Sequence, residues 1–286
     1  MDPEVYECVV NVSEGRDPAV ISALAAAGGP WVLDVHSDPD HHRSVLTLAG
    51  RAEPLTAAVQ RVARTAVSLI DLRLHAGAHP RFGALDVVPW VALSGWPLGP
   101  GDERRAVALR DRFARWAAAE LQLPCFLYGP ERSLPALRRS AWGDLAPDHG
   151  PLRPHPRAGA AAVGARGALV AYNLWLSEPD LDAARRVASE IRGPALRTLG
   201  LRVGTAVQVS CNLIDPWVLG PSAAYDAVAA RAPVARAELV GLVPARVLEA
   251  EDPGRWEQLG VSPAQTIEAR LEQAGLDGGR FGKGRT

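Results

Sequence analysis

Arg73-Leu74-His75-Ala76-Gly77-Ala78-His79-Pro80-Arg81-Phe82-Gly83-Ala84-Leu85-Asp86-Val87-Val88-Pro89 joins two kinds of periodicity. Before it, residues 53–72 carry Leu55, Val59, Val62, Ala63, Ala66, Leu69 and Ile70 at helical spacing. After it, residues 84–93 form a short apolar run suited to a buried strand. His79 therefore falls in a helix-to-strand connection. A loop stiffened by Pro80 and Pro89, turned by Gly77 and Gly83, and holding two histidines, two arginines and an aspartate suits the placing of a proton donor. A hydrogen-bonded structural role is the alternative for either histidine, more readily for His75 than for His79.

Working outward, residues 5–10 read as a strand, and Asp17-Pro18 opens a helix with a capping carboxylate and a first-turn proline. Strands at 31–35 and 43–48 follow, then the helix from Glu53 and the strand after Ala84. That order is βαββαβ, the split pattern of ferredoxin-like units. A long helix over 102–121, a strand at 125–128 and a short helix and loop over 132–148 extend it. Residues 150–159, Gly-Pro-Leu-Arg-Pro-His-Pro-Arg-Ala-Gly, form a strap that can be neither helix nor strand. Beyond it come a strand or hairpin within 160–176, a helix over 178–192, strands at 199–203 and 207–214, a helix near 221–230 and a strand at 237–243. The expectation is an α+β fold of two βαββαβ subdomains, 1–149 and 160–245, with a ligand cleft between them. Residues 246–286 hold a terminal helix over 263–274 and a disordered tail from 277.

Composition narrows the chemistry. The net charge is −1, which argues against a nucleic-acid surface. Lys283 is the only lysine and lies in the Gly-rich tail, so Schiff-base, pyridoxal phosphate and P-loop chemistries lack their residue in the folded body. Arginine supplies the positive charge, and its planar fork suits carboxylates. Cys8, Cys125 and Cys211 are scattered through apolar runs, which fits neither a disulfide framework nor a zinc site. With no signal pattern and no membrane-length apolar run, the expectation is a reduced, cytoplasmic protein with no membrane partner.

The loop has the form His-x-Gly-x-His-Pro-Arg-x-Gly-Ala-x-Asp-Val-x-Pro, and in this it resembles the glutamate formiminotransferase (formimidoyltransferase) family. Other pieces match in order: residues 7–16 (Glu-Cys-Val-Val-Asn-Val-Ser-Glu-Gly-Arg), Arg43-Ser44-Val45, Leu127-Tyr128-Gly129, Gly150-Pro151 with Gly159, and Val163-Gly164-Ala165-Arg166. Val207-Gln208-Val209-Ser210, Asn212-Leu213 and residues 239–244 (Leu-Val-Gly-Leu-Val-Pro) complete the series, which spans 7–244. The resemblance implies transfer of a formimino group from N-formimino-L-glutamate to N5 of tetrahydrofolate, a co-substrate, in histidine degradation. It places the general acid/base at His79. It assigns folate contact to Gly150, Pro151, Arg153, His155, Arg157 and Gly159, and substrate contact to Asn11, Arg16, Arg43, Arg81 and Arg166. Asp86 is expected to hold the loop or orient an imidazole.

Two departures stand out. Mammalian-type members carry an aspartate where this chain has His36, so Asp38 or Asp40 must stand in if a carboxylate is needed; His36 and Asp38 join His79 as catalytic candidates. Pro89-Trp90-Val91-Ala92-Leu93-Ser94-Gly95 also lacks an arginine of the family pattern. The helical cyclodeaminase domain fused in some members does not follow here, so a separate cyclodeaminase and a homodimer are the candidate protein partners. Three readings compete with this one. The first uses another formimino or formyl donor. The second is a metal-dependent hydrolase built on His36-Ser37-Asp38-Pro39-Asp40-His41-His42. The third is a non-catalytic folate-binding protein. A metal is not expected, because Gly77 and Pro80 spoil His75 and His79 as a helical ligand pair.

Overall fold

A computed structural model describes residues 4–75 and 81–276. The chain divides into two compact units: Met1–Gly95 with Pro100–Arg166, and Trp96–Gly99 with Gly167–Thr286. The first unit runs β1 (Val5–Val12), α1 (Pro18–Gly28), β2 (Val32–Asp38), β3 (Arg43–Gly50), α2 (Ala52–Leu69) and β4 (Leu85–Ser94). The two-residue β5 (Gly99–Pro100) follows, then α3 (Glu103–Leu121), β6 (Cys125–Tyr128), α4 (Leu134–Ser140) and β7 (Ala161–Ala165). The strands order as β2-β3-β1-β4-β7-β6. The first four are antiparallel neighbours in ferredoxin-like order, and β7 and β6 extend the sheet in parallel.

Strand alternation decides which face is covered. Cys8, Val10 and Val12 of β1, with Leu46 and Leu48 of β3, pack in one core with Leu55, Val59, Val62 and Ala66 of α2. Asp17 caps α1 by accepting from the Ala19 and Val20 amides, as Asp17-Pro18 implies. The intervening residues Val9 and Asn11 pair with Thr47 and Val45, on the other face of the sheet.

The second unit repeats the order: β8 (Val170–Leu176), α5 (Leu181–Glu190), β9 (Leu196–Val203), β10 (Ala206–Leu213), α6 (Pro221–Ala229) and β11 (Val234–Val240). Its sheet, β11-β8-β10-β9, has ferredoxin-like order and is antiparallel throughout. The short helices α7 (Ala245–Glu249) and α8 (Ile267–Gln273) complete it. Tyr172 Oη, on β8, donates to the Leu259 carbonyl at 2.7 Å and ties this closing segment to the sheet.

Several boundaries differ from the sequence reading. The strap 150–159 does not divide the units, because β7 pairs with β4 and β6 of the first sheet; the division falls at Arg166. Residues 246–276 pack into the second unit instead of trailing from it. The helix expected over 263–274 is a 3₁₀ turn (Pro263–Gln265) and then α8, since Thr266 is extended and caps the Ala269 amide. β2 runs on to Asp38, so His36 and Asp38 lie in a strand and only residues beyond them make the turn. The tail from 277 lies outside the described residues. All three cysteines are buried free thiols, and burial pushes Cys125 and Cys211 up to about 12.

At the parallel extension Gly164 lies opposite Tyr128, whose ring fills the space a side chain would need. A Cβ on Gly164 would stand 2.0 Å from the ring carbon Cζ. Gly164→Ala must therefore expel the buried Tyr128 ring and is expected to cost about 1–3 kcal/mol, read as a lower urea midpoint.

Candidate functional site

The connection from α2 to β4 is held from outside itself. At its start, the Leu72 amide donates to the Arg157 carbonyl at 2.8 Å, and Asp71 takes Nη2 of Arg73 (2.6 Å) and Nε of Arg157 (3.2 Å). At its end, Ala84 N donates to the Ala158 carbonyl and Ala160 N to the Phe82 carbonyl. Ser13 Oγ donates to the Gly83 carbonyl at 2.8 Å. The strap is thus a brace for this loop. It is itself closed into a turn in which His155 and Gly159 exchange backbone hydrogen bonds, while His155 Nδ1 accepts from the Ala158 amide at 3.0 Å. Gly159, at φ 68°, sits where a Cβ would strike the Phe82 carbonyl at 2.7 Å. Residues 76–80, with His79, lie outside the described residues.

Asp86 is buried behind the loop. Its Oδ1 accepts from the Phe82 amide at 2.6 Å, and its Oδ2 accepts from Arg138 Nη2 at 2.8 Å with Arg43 Nη1 at 3.3 Å. Arg43 turns its Nε and Nη2 to Asn11 Oδ1. Burial draws the Arg43 guanidinium below its ordinary range, opposed by Asp86 and reinforced by Arg138 and Arg81. One network therefore joins Asn11, Arg43 and Asp86. Arg166 lies beside Tyr128, whose hydroxyl burial pushes up to about 12.

A second cluster was not assembled by the sequence reading. Glu14, His42 and His75 come from three connections and place ligand-type atoms within 4.8 Å of one another. Glu14 Oε1 accepts from the Arg16 and Asp17 amides at 2.7 and 3.0 Å, which fixes its rotamer. The Gly15 amide donates to His42 Nδ1 at 3.1 Å. Gly15 must be glycine because the β2–β3 turn crosses it: a Cβ would lie 2.4 Å from the Asp38 carbonyl oxygen. His42 has φ 52°, the left-handed conformation that turns its ring inward. His75 Nε2 faces Glu14 Oε2 at 3.6 Å, the two imidazole centroids are 4.4 Å apart, and His75 Nδ1 is buried with no hydrogen-bond partner among the described residues. Burial holds His42 below its ordinary range; Glu14 opposes this, and His75, Arg16 and Arg81 add to it.

The remaining candidates are placed as follows. His36 pairs with Val45, which also faces Asn11, so His36 shares a sheet face with Asn11 and Arg43, opposite the face that α2 covers. Asp38 serves its own turn: Oδ1 accepts from the Asp40 and His41 amides, and Oδ2 meets His41 Nδ1 at 2.6 Å. Burial raises its pKa, but these donors outweigh it and the net shift is downward. Neither His36 nor Asp38 belongs to the Glu14 cluster. Arg16 Nε donates to the Pro39 carbonyl, and Arg81 Nη2 to the His41 carbonyl, so both flank the turn that carries His42. In the strap, Arg153 is exposed and Arg157 is committed to Asp71. One signal for the missed group was in the sequence: Glu14 stands three residues before the capping Asp17, where a carboxylate can meet the first free amides of a helix.

Residues 5–166 match the family model described as Formiminotransferase domain, N-terminal subdomain, and that match ends where the first unit ends. The chain belongs to the formiminotransferase family. It is 33% identical to the glutamate formimidoyltransferase of Streptococcus pyogenes serotype M1 over 276 residues, 86% of this chain and 91% of that protein. The glutamate formimidoyltransferase of Thermoplasma acidophilum is 31% identical across 94% of this chain and 98% of its own length. The formimidoyltransferase-cyclodeaminase of Sus scrofa is 35% identical over 282 residues, and this chain spans about half of it (51%).

Two outcomes follow for this family member. Asp86→Ala leaves the Arg43 and Arg138 charges without their buried partner and should cost about 3–5 kcal/mol, measured by denaturant unfolding. His42→Asn keeps a residue tolerant of the left-handed backbone and removes the titration. Because the folded state holds His42 below its unfolded value of about 6.5, it binds fewer protons than the unfolded chain as pH falls through that value. The parent should therefore lose stability between about pH 8 and pH 5 more steeply than His42→Asn; parallel curves would remove His42 from the titrating groups.

Proposed function

We propose that this chain transfers a formimino group from N-formimino-L-glutamate to N5 of tetrahydrofolate, with His79 as general acid/base. The observation that carries the reading is the 33% identity to a relative named glutamate formimidoyltransferase, of which the chain covers 91%. The reaction forms a bond from N5 to the amidine carbon and breaks the bond from that carbon to the glutamate nitrogen. A proton must leave N5, and one must reach the departing amine. An imidazole titrating near neutrality can serve either transfer.

The arginines supply the binding charge in this reading. Arg16 and Arg81, on either side of the His42 turn, suit the donor's two carboxylates. Arg43 and Asn11, paired with one another, lie on the sheet face that also carries His36 and place a guanidinium charge there. Because His155 and Gly159 close the turn and Arg157 is committed to Asp71, folate contact within the strap falls to Pro151 and Arg153 and to backbone at Gly150. The exposed Leu152 offers an apolar surface for a flat ring.

The Glu14, His42 and His75 group favours a second reading, a metal-dependent enzyme. The hydrogen bond from the Gly15 amide already occupies the His42 Nδ1 lone pair, and a neutral His42 then carries its proton on Nε2. That leaves neither nitrogen ready for an ion, so the acid/base reading stands first. The deciding experiment follows 5-formimino-tetrahydrofolate formation against a panel of formimino and formyl donors, with and without chelator. N-formimino-L-glutamate should be used best, and chelation should change nothing. His79→Ala should lower turnover by about 10²–10⁴-fold while folate binding persists. Loss with chelator and return with one divalent ion would favour the metal reading.

A further inference from the structure

We propose that His75 is a second catalytic imidazole and that Glu14 is its positioning residue, forming a carboxylate–histidine dyad that accepts the proton lost from the attacking nitrogen. This rests on the formimino-transfer reading above and gives the described half of the loop a chemical task.

The geometry supports the dyad from both ends of the ring. His75 Nε2 faces Glu14 Oε2 at 3.6 Å, an ion-pair distance that a Michaelis complex can shorten. A carboxylate only accepts, so the dyad assigns the imidazole hydrogen to Nε2. Nδ1 then carries the lone pair, and that atom is buried with no donor among the described residues. A buried acceptor left unmatched is costly, and such atoms gather where a ligand supplies the missing partner. An incoming N–H meets that need.

The supports of the dyad point the same way. Glu14 cannot swing, because two backbone amides grip its other oxygen. His42 packs tilted against His75; its Nδ1 accepts from the Gly15 amide and lies 3.3 Å from Glu14 Oε1, so it meets the carboxylate at the other oxygen and leaves Oε2 to His75. The side chains of Glu14 and His75 are 7% and 11% exposed, dry enough to strengthen the pairing. A carboxylate behind an imidazole fixes the tautomer and stabilises the imidazolium that forms, the arrangement that serves serine hydrolases.

The proton count closes with two imidazoles. As the N5–carbon bond forms, the N5 proton passes to His75 Nδ1. As the carbon–nitrogen bond to glutamate breaks, its electron pair stays on that nitrogen, which takes a proton from His79. Solvent then restores both rings.

The test uses the full chain with N-formimino-L-glutamate and tetrahydrofolate. His75→Ala should lower kcat by about 10²–10³-fold with KM for both substrates changed little, and added imidazole should restore part of the rate. Glu14→Gln keeps the amide-accepting oxygen and should lower kcat about 10-fold or more, with Glu14→Asp recovering part of the loss. A fall under about threefold in His75→Ala, or a loss confined to KM and deaf to imidazole, would overturn the proposal. Nitrogen-15 spectra of the ligand-free protein give a readout without turnover: Nε2 protonated and Nδ1 bare is expected, and a proton on Nδ1 would sink the dyad. If the spectra agree but the parent transfers no formimino group, the donor reading fails and the dyad stands.

Discussion

A buried carboxylate with two jobs sets the geometry on which the rest depends. Asp86 gives one oxygen to the backbone of the loop at Phe82 and the other to the guanidinium groups of Arg138 and Arg43. It therefore links four pieces of chain: the loop, β4, α4 and the start of β3. A neutral residue there would leave two cations near the sheet without a counter-charge, and desolvation makes that far worse inside than at a surface. The loop also gains a fixed floor. Its ends are pinned by the strap and by Ser13, so its side chains project from a frame that backbone hydrogen bonds define.

Both polar clusters grow from turns at one end of the first sheet, and the reason is topological. In a βαββαβ unit, the β1–α1 turn and the β2–β3 hairpin end beside each other because β1 and β3 are neighbours, as their register shows. The α2–β4 connection reaches the same end because β4 flanks β1 on its other side. Glu14, His42 and His75 sit on those three connections in turn. Their meeting thus follows from strand order, and the short approach of Gly15 to the Asp38 carbonyl brings two of the turns into contact.

How far this was legible in the sequence differs from residue to residue. Helix α2 and strand β4 carried strong periodicities, and both formed where the pattern put them, within a few residues. Strand β7 was misassigned because Ala161–Ala165 is short and apolar on both faces, so no alternation says which sheet it joins; only its parallel pairing with β4 and β6 decides that. The polar turn at His36–Asp38 was misread for the opposite reason. Polar residues in a strand are expected where one face is uncovered, and this face of β2 is one of those places. Thr266 split the terminal helix because a threonine at that position caps better than it propagates.

The site shows the same division between local and non-local information. The motif around His79 is contiguous and could be read directly. The Glu14 group joins residues 28 and 33 positions apart, and each member has an ordinary local explanation: a carboxylate before a helix, a histidine in a turn, a histidine after a 3₁₀ turn. What changes the reading is burial combined with the hydrogen-bond inventory. Glu14 spends one oxygen on backbone and points the other at an imidazole, and that imidazole ends in a nitrogen unmatched among the described residues. A purely structural histidine in so dry a place would be expected to satisfy each buried nitrogen, as His155 satisfies Nδ1 in closing its turn. His75 breaks that expectation at the one atom that could take a proton from a ligand, and the departure from local economy is the mark of a group kept for chemistry.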